Sequence, residues 1–492
     1  MIKTLLKGLS LLLVLLVGVL AFNTWRLDAA YPEVASYRPV LDEQAALARL
    51  SAALRIRTLS ASAEAESLAP FLALHDLISE GFPRVHGAME REVVNGGALL
   101  FRLPGREHCP ALLLAAHQDV VPVEPGSEDS WRHPPWSGAL AEGAVWGRGA
   151  IDDKGSMMAI LEAVEALLAE GFRPRCPLLL AFGHDEETGG QRGAAEIARL
   201  LAERSVEVEA VLDEGGAITT GLVPGTDLPL ASVGVAEKGY LSLRLTASGE
   251  GGHSSMPPHP TVVGRLAQAI ARLEAERPPP GLSAVHREML ARIAPHVDLA
   301  ARVPLANLWL FEPMVVAQLA GSPTTDATLR TTTAPTQLRA GVKDNILPRQ
   351  AEAVVNFRIQ PGDSVVAVTR RVRQLVEPFA IEVAQVEGFA GDPVDPADWN
   401  DPLFAAIERS LLATGDGPML VAPYVTSGAT DARHYAVLTP RLYRFSPVQL
   451  DAELMASFHG SNERMPVAEY ARMQRFYRHL LATYAERGLP DP

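Results

Sequence analysis

The chain has 492 residues, more than the roughly 250–300 that one hydrophobic core serves, so two domains are expected. Apolar residues make up 48% and charged residues 21%, which excludes disordered and fibrous classes. A net charge of −14 with no basic run excludes a nucleic-acid partner, because phosphate binding needs a basic face. At the start, Lys3 and Lys7 precede an apolar run over residues 9–22 that only Ser10 interrupts, and Trp25 and Arg26 follow it. Residues 5–25 amount to about 20, the length that crosses a bilayer core. The uninterrupted part is shorter and also fits the apolar region of a signal peptide, with Val19-Leu20-Ala21 as a weak cleavage site. An uncleaved membrane anchor is the first expectation, a secretion signal the second and a buried structural helix the third. Either of the first two puts everything beyond residue 30 outside the cytoplasm, since positive charges stay inside.

Residues 42–60 carry Leu47, Leu50 and Leu54 at helical spacing, and a polar stretch at 61–66 ends that helix. Two apolar runs follow with the same layout, one from Cys109 to His117 and one from Cys176 to His184. Such runs read as buried parallel strands with their chemistry at the C-terminal ends. Between them residues 154–171 form a helix through Met158, Leu161, Val164 and Leu168, stopped by Gly171. Strand, helix, strand is a right-handed crossover that makes the two strands neighbours. A helix at 194–203 and a strand at 208–212 complete this part.

The pattern then changes. Residues 241–246 alternate as a half-exposed strand, 261–276 are helical, and Pro278-Pro279-Pro280-Gly281 breaks the chain. An alternating strand at 353–359 and a helix at 364–378 complete a small α+β sandwich inserted into the larger α/β domain. Residues 280–340 are expected to enlarge that insert. From about residue 395 the chain returns to the first domain, through helices at 402–413 and 467–487.

Side chains that bind metals gather in short segments, most of them at strand ends. In His117-Gln118-Asp119 the period of two lets the carboxylate orient the imidazole. Asp152 stands just before a helix, and Glu186-Glu187 are adjacent, so that one can bind metal while the other faces a reacting water. Taken singly, each segment also fits an ordinary structural role. Their recurrence at neighbouring strand ends, with two cysteines and no serine-nucleophile elbow, favours a metal centre.

Together the segments Ala116-His117-Gln118-Asp119, Trp131-Arg132-His133-Pro134-Pro135-Trp136, Gly147-Arg148-Gly149-Ala150-Ile151-Asp152-Asp153-Lys154-Gly155, Asp185-Glu186-Glu187, Leu212-Asp213-Glu214-Gly215-Gly216 and Gly252-His253-Ser254-Ser255-Met256-Pro257 resemble the aminoacylase and carboxypeptidase family of co-catalytic zinc metallopeptidases. The resemblance runs from about residue 42 to the C-terminus and is strongest to the branch of carboxypeptidase S and of N-fatty-acyl-amino acid synthase/hydrolases. It implies an α/β zinc-peptidase domain with a mixed central sheet, formed by residues 42–238 and 392–492, with an inserted α+β lid at 239–391 and the N-terminal segment at 1–30. It also implies two zinc ions, with cobalt or manganese as substitutes. His117 and one of Asp213 or Glu214 would hold the first, Glu187 and His459 the second, and Asp152 would bridge them. Adjacent strand residues point oppositely, so Asp213 and Glu214 both remain open. Glu186 would be the general base and Asp119 the partner of His117. His253, Asn345, Arg358, Thr430 and Arg433 would contact substrate, although Ala429 stands where many relatives have Gly. The reaction implied is hydrolysis of a peptide or N-acyl amide beside a free carboxylate, with an acylase or synthase of long-chain N-acyl amino acids as the alternative. Partners are then a small substrate, the membrane, and a second copy through the lid.

The two cysteines each stand eight residues before a histidine at a strand's far end. Parallel neighbours in matching register bring the sulfurs across one inter-strand gap of about 4.8 Å, which permits a disulfide; a one-residue slip leaves two buried thiols.

Overall fold

Continuous apolar runs set the centre of the structure. In the computed structural model, which describes residues 2–27, 29, 32–60, 67–221 and 223–487, the strand Ala111–His117 is buried at every position, and so is Leu178–Gly183. They pair in parallel, and Val208–Asp213 joins the other side of Ala111–His117. The expected crossover is therefore present, with helix Lys154–Ala169 between the strands and almost wholly buried. The expected end of the first soluble helix at 61–66 lies outside the described residues; the helix itself covers Glu43–Leu54, capped by Asp42.

These strands belong to a ten-stranded mixed sheet. Glu90–Val94 and Ala98–Leu103 extend it as an antiparallel edge beside Leu178–Gly183. On the far side Leu442–Arg444 pairs in parallel with Val208–Asp213, and Leu230–Glu237 pairs with Leu420–Thr426. The returning C-terminal segment thus completes the same sheet, and its last helix, Val467–Arg487, packs on Lys154–Ala169. Parallel strands end together on one side of such a sheet, which is where the metal-binding segments stand.

The insert is a four-stranded antiparallel sheet in the order Thr332–Ala340, Gln350–Ile359, Gly239–Ser248, Glu382–Gln385. Its two central strands alternate between buried and accessible positions, and helices Val262–Ala275 and Val365–Val376 cover the buried face. Two connections join it to the main sheet. They are paired to each other, since Tyr240 and Gly391 exchange both backbone hydrogen bonds at 3.0 Å.

Residues 284–329 depart from expectation. They form helices Ala284–Ile293, Leu299–Ala306, Leu308–Leu319 and Pro323–Leu329, of which the first packs on strand Leu420–Thr426 of the main sheet while the second packs on the third and on the N-terminal helix. The reason is apolar complementarity: Ile293 and Val297 bury against Leu230, Leu420 and Ala422 of the main sheet.

Cys109 and Cys176 are bonded, with Cα atoms 5.3 Å apart. The register reaching that outcome differs from the matching one, for His117 pairs with Gly183 and not with His184. Both cysteines lie before the first paired residues, each followed by Pro, so the alternation of the strands does not govern where they point. Bonding residues 67 apart constrains the unfolded chain, and replacing both cysteines by serine should lower the unfolding free energy by about 4 kcal/mol in denaturant titration. Thiol titration of the unreduced, unfolded protein should find no free thiol.

Candidate metal centre

Behind the centre stands one buried carboxylate, Asp119, two residues beyond the end of its strand. Its two oxygens accept the backbone amides of Glu186 and Glu187, each at 3.1 Å, and so tie the turn after the neighbouring strand to the end of its own. Oδ1 also lies 3.3 Å from His117 Nδ1, whose other neighbour is the Asp119 carbonyl at 3.0 Å. A proton held on Nδ1 leaves the Nε2 lone pair aimed into the centre. That nitrogen is 2.9 Å from Asp152 Oδ1, while Asp152 Oδ2 is 3.1 Å from His459 Nε2. Glu187 Oε2 lies 3.4 Å from the same His459 nitrogen. Asp152 thus stands between two imidazoles, one on each side.

Donor atoms of His117, Asp152 and Glu187 all lie within 4.8 Å of one another, and among the described residues the buried Oε1 of Glu187 has no hydrogen-bond partner. This donor set of carboxylates and imidazoles suits zinc and its neighbours. The surrounding electrostatics ask for a cation as well. Burial and nearby acids push Asp153, Glu186, Glu214 and Asp431 well above the usual carboxylate range. Burial also opposes ionisation of Asp152, but its hydrogen bonds to His117 and His459 prevail and hold it below that range. Hydrogen bonds that it donates to Asp152 and Glu187 push His459 up to about 10.

The two carboxylates left open by the sequence separate here. Glu214 lines the cavity beside Asp152, Glu186, Glu187 and His459. Asp213 is turned away and accepts the Ala432 amide at 2.6 Å, so it holds the loop after Leu420–Thr426. Strand alternation requires this, because Asp213 is the last paired residue of its strand and Glu214 follows it.

The loop carrying Asp152 rests on Glu463, a residue that the sequence pattern did not single out. Its fully buried carboxylate accepts the amides of Gly149, Ile151 and Asp152 and pairs with Arg148 at 2.6 Å. The signal was an acid four residues from a ligand candidate, and only the fold shows that it faces inward.

Substrate-residue candidates divide into two groups. Arg358, Thr430 and Arg433 line the cavity with the metal cluster. Arg358 stacks on Tyr240 at 4.7 Å and Arg433 on Phe389 at 4.3 Å, two aromatic supports that the sequence did not single out. Among the described residues Nε and Nη1 of Arg433 have no hydrogen-bond partner, although Nη1 lies 3.9 Å from Glu237, which accepts from Thr430 and pairs with the buried Arg444. His253 and Asn345 are exposed and do not line the cavity. Both sit at the two-stranded ribbon Gly252–His253 and Ile346–Leu347, which projects from the insert's sheet.

The cavity holds about 1380 Å³, beyond the roughly 300–1,000 Å³ usual for small-molecule sites. From the metal cluster it extends over Leu230 to an apolar arm walled by Met289, Leu290, Ile293, Leu305 and Val315.

The chain is similar to known proteins in sequence and in fold. Residues 113–483 match peptidase family M20/M25/M40. N-fatty-acyl-amino acid synthase/hydrolase PM20D1 of Xenopus tropicalis is 36% identical, with 100% of this chain and 97% of the relative covered. Probable carboxypeptidase S-like 2 of Dictyostelium discoideum is also 36% identical, covering 98% and 93%. Among solved structures, the M20 family metallo-carboxypeptidase Sso-CP2 from Sulfolobus solfataricus has a TM-score of 0.67 at 18% identity, covering 89% of this chain and 98% of that one. The likeness to that structure shows the fold, with its mixed central sheet.

Two outcomes follow. Zinc should raise the thermal midpoint and a chelator lower it, with about 2.7 kcal/mol expected at a free-ion concentration 100 times the dissociation constant. Glu463→Ala should cost about 3–5 kcal/mol in denaturant titration, because it strands Arg148 as a buried unpaired charge.

Proposed function

The chain belongs to peptidase family M20/M25/M40 and is a metal-dependent amide hydrolase, and from that premise we propose that it cleaves long-chain N-acyl amino acids to a fatty acid and a free amino acid. The observation that carries this reading is the apolar arm, which continues from the metal cluster well beyond the space a dipeptide needs. Relatives named as N-fatty-acyl-amino acid synthase/hydrolases support it. The order of the two readings from sequence is thereby reversed: cleavage of peptides beside a free carboxylate becomes the second, favoured by the carboxypeptidase S-like relatives.

His117, Asp152, Glu187, Glu214 and His459 would hold two zinc ions, with Asp152 between them. When bound, zinc supplies Lewis acidity that polarises the scissile carbonyl and makes water a nucleophile near neutral pH. Glu186, on the cavity floor beside these ligands, takes the proton of the attacking water and returns it to the leaving amine. Burial raises its affinity for that proton, and a neighbouring cation moderates the effect. Asp119 keeps His117 in one tautomer and sets the backbone of both glutamates. Arg358 and Arg433 receive the substrate carboxylate, each guanidinium resting over an aromatic ring and Arg433 held near Glu237 at 3.9 Å and by the Gly189 carbonyl. A contact from His253 or Asn345 requires closure of the insert or the ribbon of a second copy. The N-terminal helix Ile2–Trp25, apolar and exposed along nearly all of its length, anchors the enzyme in the membrane with its catalytic part outside the cytoplasm.

Glu186→Gln should retain zinc by elemental analysis while kcat falls by about 10²–10⁴. Activity at the parental rate would remove Glu186 from the mechanism. Assayed side by side, the parent should show a higher kcat/KM on N-palmitoyl amino acids than on dipeptides, and the opposite order would favour the peptidase reading.

A further inference from the structure

The helices that wall the apolar arm have a second face. Leu299–Ala306 and Leu308–Leu319 meet at a bend of 119°, and together they are as long and apolar as a membrane span. Leu305 and Val315 face the cavity, whereas Leu299, Trp309 and Leu310 are 68%, 61% and 41% exposed. Met314 does both: it lines the cavity and is 48% exposed, so it marks an opening of the arm onto the outer face of this elbow. The acid within the elbow, Glu312, is paired with Arg287 at 2.6 Å.

At the bend stands Asn307, fully buried; within the elbow its side chain donates to the Val303 carbonyl at 2.9 Å and accepts from Trp309 Nε1 at 3.4 Å, and its other partners belong to the N-terminal helix. Nδ2 donates to the Leu20 carbonyl at 3.3 Å and to Thr24 Oγ1 at 3.4 Å, while Oδ1 accepts from Asn23 Nδ2 at 2.9 Å. The contacts fall on the last residues of a helix whose basic residues, Lys3 and Lys7, lie at its other end. With those lysines at the inner surface, residues 20–24 sit at the outer one, and the elbow fastened to them sits there too.

We infer that the elbow Leu299–Leu319 is seated in the outer leaflet beside the anchor helix and forms a lateral port through which acyl chains pass from the lipid into the apolar arm. Trp309 then lies at headgroup depth, where tryptophan is favoured, and exposed apolar residues that would be costly in water are covered by lipid. The part of this inference that concerns acyl chains rests on the proposed function; the seating in lipid does not.

Both native cysteines are bonded to each other, so a single added cysteine can be labelled selectively. Full-length protein carrying Leu310→Cys, spin-labelled and reconstituted in phosphatidylcholine vesicles, should be relaxed strongly by oxygen and weakly by a water-soluble nickel chelate. Val366→Cys on the insert's exposed surface should show the reverse. Equal aqueous access at both positions would overturn the port, as would protection of position 310 from both reagents, which would mean that a second copy covers it. In the same vesicles Trp309→Glu with Leu310→Glu should lower kcat/KM on N-palmitoyl amino acids at least about tenfold and leave N-acetyl amino acids unchanged. Equal losses on both substrates would also count against a port. A parent inactive on both substrates would refute the proposed function, and the label depth would still decide where the elbow lies.

Discussion

Mutual repulsion among carboxylates is the constraint on which the rest of this structure depends. Asp152, Glu186, Glu187 and Glu214 share one cavity floor, with Asp119, Asp153, Asp213 and Asp431 buried behind it. Charges so close in a partly desolvated site repel by several kcal/mol, and proteins resolve such crowding by protonation, by hydrogen bonds or by a cation. Each solution is visible here. Backbone amides and His117 quiet Asp119, the Ala432 amide satisfies Asp213, and Asp153 and Asp431 are pushed toward their neutral forms. The acids that remain aimed into the cavity, together with His117 and His459, are the set that a divalent cation balances.

That constraint explains why the supporting network is so extensive. Glu463 receives three amides of the Asp152 loop, and Asp119 receives two amides of the glutamate turn, so the ligand candidates are set by backbone and are not free to splay apart. At the back of the cavity the Glu237–Arg444–Thr430 group fixes the loop that presents Arg433. Chemistry is thus concentrated at one end of the cavity and apolar surface at the other, a division suited to a substrate with a carboxylate and amide at one end and a long tail at the other.

Much of this was legible in the sequence because it depends on local pattern. Unbroken apolar runs such as 111–117 and 178–183 mark strands buried on both faces, and the metal-binding side chains follow directly at their ends. Helix limits were readable where caps occur, as at Thr261 and Ser364, whose side chains accept amides of the first turn. What was hidden depends on distant pairing. The antiparallel edge at 90–103 has a partner far along the chain, and the choice between Asp213 and Glu214 turns on where a strand stops pairing. The seat of helix Ala284–Ile293 was hidden because its neighbour in sequence is the insert, whereas the strand it packs on, Leu420–Thr426, comes far later in the chain. His253 and Asn345 carry motif signals, yet the ribbon holds them outside the cavity of their own chain.

The central claim is that Asp152 lies between two bound cations. Anomalous diffraction at the zinc edge from crystals of the zinc-loaded protein tests it most directly. Two peaks are expected on opposite sides of the Asp152 carboxylate, one beside His117 and Glu214 and the other beside Glu187 and His459. Zinc found only away from these side chains, or a single peak that Asp152 does not touch, would contradict it.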